Sequence, residues 1–225
     1  MTFYSRLKSE TIDEKARLYA MPIIQKALNG GISKDEYIAF LTEAYHHVKH
    51  TVPLLMACGS YLKDDYEWVK KSIAEYVEEE YGHEKWILND IKSAGGSIED
   101  AIASKPNIST DTMVAYAYHQ IDRNNPIGFL GMVFVLEGTS VELATEAANV
   151  ISKSLQLPDQ AFSYLLSHGS LDIEHIKFYE NMINQLSKNE DQQCVIHCAK
   201  SFYHLYANIF QSIPKIACKK NEVTL

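Results

Sequence analysis

The sequence predicts an all-α protein, folded as a single-domain helical bundle of about seven helices. Nearly every segment of the 225-residue chain repeats its apolar residues with the 3.6-residue period of a helix, and none sustains the two-residue alternation of a strand. Hydrophobic residues make up 46% of the chain, which is enough for a large core. Because no repeat, linker or change of composition divides it, one domain is expected over residues 1–217, followed by a flexible tail at 218–225.

Glycine, serine and proline residues mark the helix ends in the first half of the chain. Gly30-Gly31 and Gly95-Gly96 are the expected stops of the first and third helices. Ser33 opens the second helix in a capping box with Glu36, and Pro53 should kink that helix. The first three helices are therefore predicted over about 10–29, 33–62 and 64–94.

Serine, asparagine and proline residues also mark the predicted helix starts in the second half of the chain. Ser97 and Ser109 are expected to open a short and a medium helix. Asn125-Pro126 supplies a cap and a first-turn proline for a long apolar helix, and Pro158 starts the next one. The last helix is predicted over about 189–213.

Charge and cysteine content exclude several classes of function. The formal net charge is −8 with no basic run, so neither a nucleic-acid surface nor attraction to an anionic membrane is expected. Four cysteines are too few for a disulfide framework in a chain of this size, and the start MTFYSRLKSETIDEK has no apolar signal segment. The longest apolar run is shorter than the ~20 residues of a membrane span. The sequence predicts a cytoplasmic protein.

One predicted helix gathers metal-binding residue types on a single face. In the stretch YLLSHGSLDIEHIKF, His168, Asp172 and His175 are separated by four and then three residues. Residues at these spacings lie one above another on an α-helix. Two imidazoles and a carboxylate on one stripe are unusual for a solvated helix, so the alignment favours a functional site.

Two further helices carry matching donors. Glu80 and His83 repeat the carboxylate-x-x-His pattern, with Glu79 as the alternative carboxylate four residues before His83. Glu137 follows five apolar residues in MVFVLEG, and a buried carboxylate needs a partner. Taken singly, each signal also has an explanation without function. Glu80 and His83 could be a solvated Glu-x-x-His pair, and Glu137 could form a structural salt bridge to a lysine or arginine.

Taken together, three carboxylates and three histidines suit a centre of two cations. Bridging carboxylates supply charge, imidazoles complete the coordination, and di-iron helical bundles use carboxylate-x-x-His pairs from two helices with lone Glu residues from others. Such a donor set suits iron or manganese better than zinc, whose structural sites favour four ligands and thiolates.

These residues resemble the heme-oxygenase-like superfamily, which contains TenA thiaminases, PqqC and the heme-oxygenase-like di-iron oxidases and oxygenases. The likeness covers nearly the whole chain and is greatest to the di-iron members, such as CADD and UndA. It implies a heme-oxygenase-like bundle and the ligand set Glu80, His83, Glu137, His168, Asp172 and His175. It also implies two ferrous ions, dioxygen as co-substrate, a small organic substrate and a homodimer, since relatives often pair.

The resemblance adds three further candidates, which are implied to act in catalysis or to line the pocket. Tyr164 lies four residues before His168, as a tyrosine does in CADD, and His47 and Lys49 match a pocket-lining histidine and lysine. Glu43, four residues before His47, is a conceivable neighbour of this pocket.

Departures from the family limit what can be transferred. The segment from Lys63 to Asp191 contains no cysteine, so the thiaminase nucleophile has no counterpart, and no histidine precedes His46 to bind heme. Leu136 stands where CADD has a tyrosine before the middle glutamate. A non-heme di-iron oxidase or oxygenase is therefore expected. The alternatives are a metal-free TenA- or PqqC-like enzyme and a non-catalytic ligand- or partner-binding protein of the same fold.

Overall fold

The structure, a computed structural model, describes the chain from residue 1 to 223, with the side chains of residues 168–174 and 219–223 outside that description. Within this range the regular elements are α-helices and short 3₁₀ turns, with no strand, which confirms the all-α prediction. The helices are α1 Phe3–Glu10, α2 Ile12–Tyr19, α3 Pro22–Leu28, α4 Lys34–Val48, α5 Thr51–Tyr61, α6 Glu67–Glu80, α7 His83–Ser93, α8 Ile98–Ala103, α9 Ile108–Arg123, α10 Leu130–Leu155, α11 Ser163–Ile183 and α12 Asn189–Val223. The 3₁₀ turns are Asp64–Tyr66, Pro126–Phe129 and Asp159–Ala161.

The described residues form twelve α-helices where about seven were predicted, chiefly because three predicted helices are interrupted and α1 precedes the first predicted one. The first is divided into α2 and α3, since Met21 is extended and Pro22 occupies the first position of α3. The second has the predicted capping box of Ser33 and Glu36 but breaks before Thr51. Pro53 then falls in the first turn of α5, where its missing N–H is not needed, so it does not kink a continuous helix.

The third interruption matters most for function. A continuous helix over about 64–94 was predicted, but α6 ends at Glu80 and α7 begins at His83. Gly82, between them, has φ of 94°, in the left-handed region that glycine enters most readily. Glu80 and His83 are therefore the facing ends of two helices and not successive turns of one.

The long helix α10 lies at the centre of the bundle and packs mainly against α11 and α12. Residues Pro126–Leu155 are long and apolar enough to cross a membrane by length and composition. However, 61% of the apolar window is buried inside the fold, as is usual for the core helix of a bundle.

α10 and α12 approach closely at Gly131. A Cβ added there would lie 2.6 Å from the backbone nitrogen of Ala199 and 2.8 Å from the carbonyl oxygen of Val195. Gly138, two turns later on the same helix, would meet no atom within 4 Å. The absent side chain at Gly131 thus sets the distance between these two core helices.

We expect Gly131→Ala to lower the free energy of unfolding by about 2 kcal/mol, because backbone atoms of α12 must move to admit a methyl group. Gly138→Ala is the matched control and should raise stability by up to about 1 kcal/mol through its higher helix propensity. Urea denaturation of both variants checks this. Equal effects of the two substitutions would show that the contact with α12 carries no strain.

Candidate metal centre

The pair Glu80 and His83 is formed by the turn between α6 and α7. Glu80 Oε2 lies 3.0 Å from His83 Nδ1, and both side chains are buried. The left-handed Gly82 separates the two helices, and the imidazole that opens α7 lies beside the carboxylate that ends α6. The His83 ring also stacks on Trp86, with ring centroids 4.0 Å apart, which restricts its orientation.

His175 brings α11 to the same carboxylates. Its Nδ1 lies 4.0 Å from Glu80 Oε1, and its Nε2 lies 3.1 Å from Glu79 Oε2. The two glutamates differ in exposure, since the side chain of Glu80 is 9% exposed and that of Glu79 is 51% exposed. Glu80 and Glu79, the two carboxylates that the sequence offered as alternative ligands, thus both contact His175, but only Glu80 is buried with it.

Glu137 enters this region from α10. It is buried, and its Oε2 accepts a hydrogen bond of 3.4 Å from the hydroxyl of Tyr76. The Tyr76 ring packs edge-on against the ring of His175, with centroids 5.9 Å apart. Burial, and then the charge of Glu137, raises the pKa of Tyr76 well above its usual value. The phenol therefore stays protonated and can act as the donor in this hydrogen bond.

The remaining predicted ligands, His168 and Asp172, lie outside the described residues. Among the side chains that the structure does describe, no three His, Cys, Asp or Glu residues form a compact metal-binding group. The predicted six-residue ligand set therefore stays a prediction, and Glu80, His83, Glu137 and His175 are the members whose positions are described.

The four described donors fit an iron site chemically. Two are carboxylates and two are imidazoles, the oxygen and nitrogen donors that iron accepts. All four are buried, and a buried carboxylate needs compensating positive charge. The described partners of Glu80 are the imidazoles of His83 and His175, not a lysine or an arginine. A cation would supply that charge.

A cavity of about 70 Å³ opens beside these donors and is called here the site cavity. Glu80, Glu137 and Tyr76 form its polar side, and the predicted catalytic residues His47 and Tyr164 line it as well. The His47 ring packs edge-on against Tyr206, another lining residue, at 6.0 Å between centroids. The remaining wall is mostly apolar and includes Leu54, Leu55, Phe129, Met132, Val133 and Leu136.

Lys49, the third predicted catalytic residue, is placed elsewhere. Its Nζ lies 3.1 Å from His46 Nδ1 and sits over the ring of Tyr45, and Lys49 is not among the residues that line the site cavity. Burial, and then the charge of Lys49, lowers the pKa of His46 to about 4. The neutral imidazole can therefore accept from Lys49 and donate through Nε2 to Ser104 Oγ, 2.8 Å away.

Glu43 also turns away from the cavity. Its carboxylate accepts hydrogen bonds from the backbone N–H of Asn107, at 3.0 Å, and from the hydroxyl of Thr110. These contacts hold the N-terminus of α9, where a carboxylate interacts favourably with the helix dipole. Glu43 is therefore a structural residue in the described contacts, although its spacing from His47 suggested a place beside the pocket.

Sequence reasoning missed Asp90, which positions α11. Asp90 is fully buried on α7 and accepts hydrogen bonds from the backbone N–H of Ser163, at 3.1 Å, and of Tyr164, at 2.8 Å. These are the first two residues of α11, so one carboxylate satisfies amides that have no partner inside the helix. An aspartate within the apolar stretch WILNDI was the available signal.

The chain is similar to several solved structures over nearly its whole length. The chain is 26% identical to a protein of unknown function with a heme oxygenase-like fold from Shewanella denitrificans, with a TM-score of 0.86 and coverage of 96% of this chain and 93% of that one. A CADD-like protein of unknown function from Nostoc punctiforme is 15% identical, with a TM-score of 0.76 and coverage of 96% of each chain. A TenA homologue from Pseudomonas syringae pv. tomato is 12% identical, with a TM-score of 0.81 and coverage of 95% and 93%.

These likenesses confirm the heme-oxygenase-like fold. No curated protein matches the chain significantly in sequence. A family model described as "Iron-containing redox enzyme" matches residues 38–207, a range that contains every predicted site residue. The chain therefore belongs to this family of iron-containing redox enzymes.

Proposed function

We propose that this protein is a non-heme di-iron oxidase or oxygenase that activates dioxygen on a small organic substrate. One observation carries the proposal: Glu80 and Glu137, two buried carboxylates from different helices, face one cavity. His83 and His175 both lie at Glu80. Membership of an iron-containing redox family supports iron as the metal, with manganese as the alternative.

The proposed ligands contribute different donor groups to the metal. Glu80 and Glu137 supply negative charge, His83 and His175 supply neutral nitrogen donors, and His168 and Asp172 complete the proposed set. Bound ferrous iron would supply the electrons that reduce dioxygen. The Tyr76 hydroxyl donates a hydrogen bond to Glu137 Oε2 and so restricts which way that carboxylate points.

The cavity wall performs the other tasks. The apolar side chains of Leu54, Phe129 and Met132 exclude bulk water, which strengthens the electrostatic interactions inside. His47 and Tyr164 face the cavity, where a substrate would contact the Tyr164 ring and hydroxyl and the His47 imidazole. In this proposal these two residues bind and orient the substrate.

Anaerobic titration of the metal-free protein with ferrous iron tests the proposal. Close to two iron ions per chain should be retained after desalting, and admission of oxygen should produce a transient visible absorption band. Manganese offered under the same conditions would show whether the site prefers iron. A folded protein that retains no metal would contradict the di-iron function.

The metal-free alternative predicts a different outcome. His47 lines the site cavity and could transfer protons without any metal, as a TenA- or PqqC-like enzyme would require. His175→Ala should then leave the activity largely intact, whereas the di-iron function requires loss of both iron and activity. His119→Ala, an exposed histidine on α9, is the control for loss of an imidazole.

A further inference from the structure

A second cavity adjoins the site cavity and is called here the apolar chamber. It measures about 90 Å³ and lies between α3, α4, α10, α11 and α12. Ser140, Tyr164 and Tyr206 line both cavities, so the two spaces meet at these three residues. The site cavity and the chamber are therefore neighbours, bordered by the same three side chains.

The chamber extends along one stripe of α10 that begins at a proposed metal ligand. Glu137 faces the site cavity, Ser140 lines both spaces, and Ala144, Ala147 and Ile151 line the chamber. These spacings of three and four residues keep one face of a helix. The stripe from Glu137 to Ile151 covers about 21 Å at 1.5 Å per residue, so the combined space is long.

The lining of the chamber is apolar almost throughout. Ile23, Ile32, Leu143, Phe210 and Ile213 form much of the wall, and the described lining contains no Lys, Arg, Asp, Glu or His. A charged or strongly polar group would lose its hydration there without compensation. An aliphatic chain would exchange water contact for contact with these side chains.

Part of the chamber wall lies close to the surface. Ala27 and Leu28 on α3 and Leu143 and Ala147 on α10 are half-buried, whereas Tyr37 and Ile213 deeper in the wall have no exposed surface. A flexible molecule could therefore enter from this side and extend toward Glu137. Small side chains at Ser140, Ala144 and Ala147 leave the width for a narrow chain.

We infer that the substrate is an amphiphile with a flexible, unbranched aliphatic tail. The tail lies in the apolar chamber along α10, and the end that reacts lies in the site cavity beside Glu80 and Glu137. The inference rests on the proposed function for the identity of the reacting end. Occupation of the chamber by the tail depends on the cavity alone.

Displacement of a fluorescent polyene fatty acid from the metal-free protein tests the inference. Butyrate, octanoate, dodecanoate and hexadecanoate are the competitors, and benzoate is the compact apolar comparison. Within the range that the chamber accommodates, each added methylene should strengthen binding by about fourfold, the gain from burying one CH₂. Affinity independent of chain length, or benzoate binding as tightly as dodecanoate, would overturn the inference.

A variant that fills the chamber locates the tail. Ala147→Phe should weaken dodecanoate binding at least tenfold, whereas Thr145→Phe, on the exposed face of α10, should leave it unchanged. Circular dichroism shows whether each variant is folded, and the wild-type chain-length series decides the question if Ala147→Phe is not. Equal binding by two folded variants would overturn the assignment of the tail to this chamber.

The outcome is separable from the test of iron binding. Iron uptake without length-dependent binding would overturn the aliphatic substrate and leave the di-iron function standing. Length-dependent binding without iron uptake would support the chamber as a tail site and contradict the di-iron function.

Discussion

Glu80→Ala is expected to abolish iron binding, with the affinity for ferrous ions falling by more than about 100-fold, beyond the 10–100-fold that loss of an outer hydrogen-bonding partner costs. Glu80 is buried and lies 3.0 Å from His83 Nδ1 and 4.0 Å from His175 Nδ1, so its removal takes away the negative charge between two proposed ligands. Anaerobic titration with metal analysis after desalting measures the loss.

Glu79→Ala is the matched control. The neighbouring carboxylate carries the same charge and also contacts His175, but its side chain is 51% exposed. Water can replace much of what it provides, so iron binding should weaken no more than about tenfold. If Glu79→Ala removes the iron and Glu80→Ala does not, the ligand is Glu79 and the pairing of Glu80 with His83 is structural.

Asp90→Ala is expected to lower the free energy of unfolding by about 3 kcal/mol. The substitution leaves the backbone N–H groups of Ser163 and Tyr164 without their acceptor and removes a carboxylate from the N-terminus of α11. Asp90→Asn keeps one acceptor oxygen and should cost less. Urea denaturation with circular dichroism gives the three free energies.

An exposed aspartate from the same region serves as the reference. Asp159→Ala, four residues before Ser163, should change the free energy of unfolding by less than about 0.5 kcal/mol, as most surface substitutions do. Should Asp90→Ala be as mild as Asp159→Ala, water or another group must satisfy the first amides of α11, and the proposed role of Asp90 in positioning that helix would be wrong.

Periodicity and capping residues were sufficient to predict the fold class. The capping box of Ser33 and the first-turn position of Pro126 are both observed. Breaks inside long apolar segments were not predicted, because the apolar period continues through them. At Gly82 the residue type was visible in the sequence, but a single glycine within a helical pattern is tolerated as often as it ends one.

The candidate site was predictable in residue type and less so in arrangement. Four of the predicted site residues, Glu80, Glu137, His47 and Tyr164, line one cavity. Lys49 was assigned with His47, yet residues two apart on a helix point in different directions, and its amino group contacts His46 instead. Tyr76 was missed because one tyrosine among 14 carries no distinguishing pattern until its partner Glu137 is located.

The link at Tyr81-Gly82 also has a mechanical consequence. Glu80 and His83, two of the proposed ligands, lie at the ends of separate helices that are joined by two residues, one of them a glycine with positive φ. The distance between the two side chains therefore depends on the angle between α6 and α7. The packing of α7 against α4 and α11 sets the spacing of these two side chains, which a single continuous helix would have fixed by its own geometry.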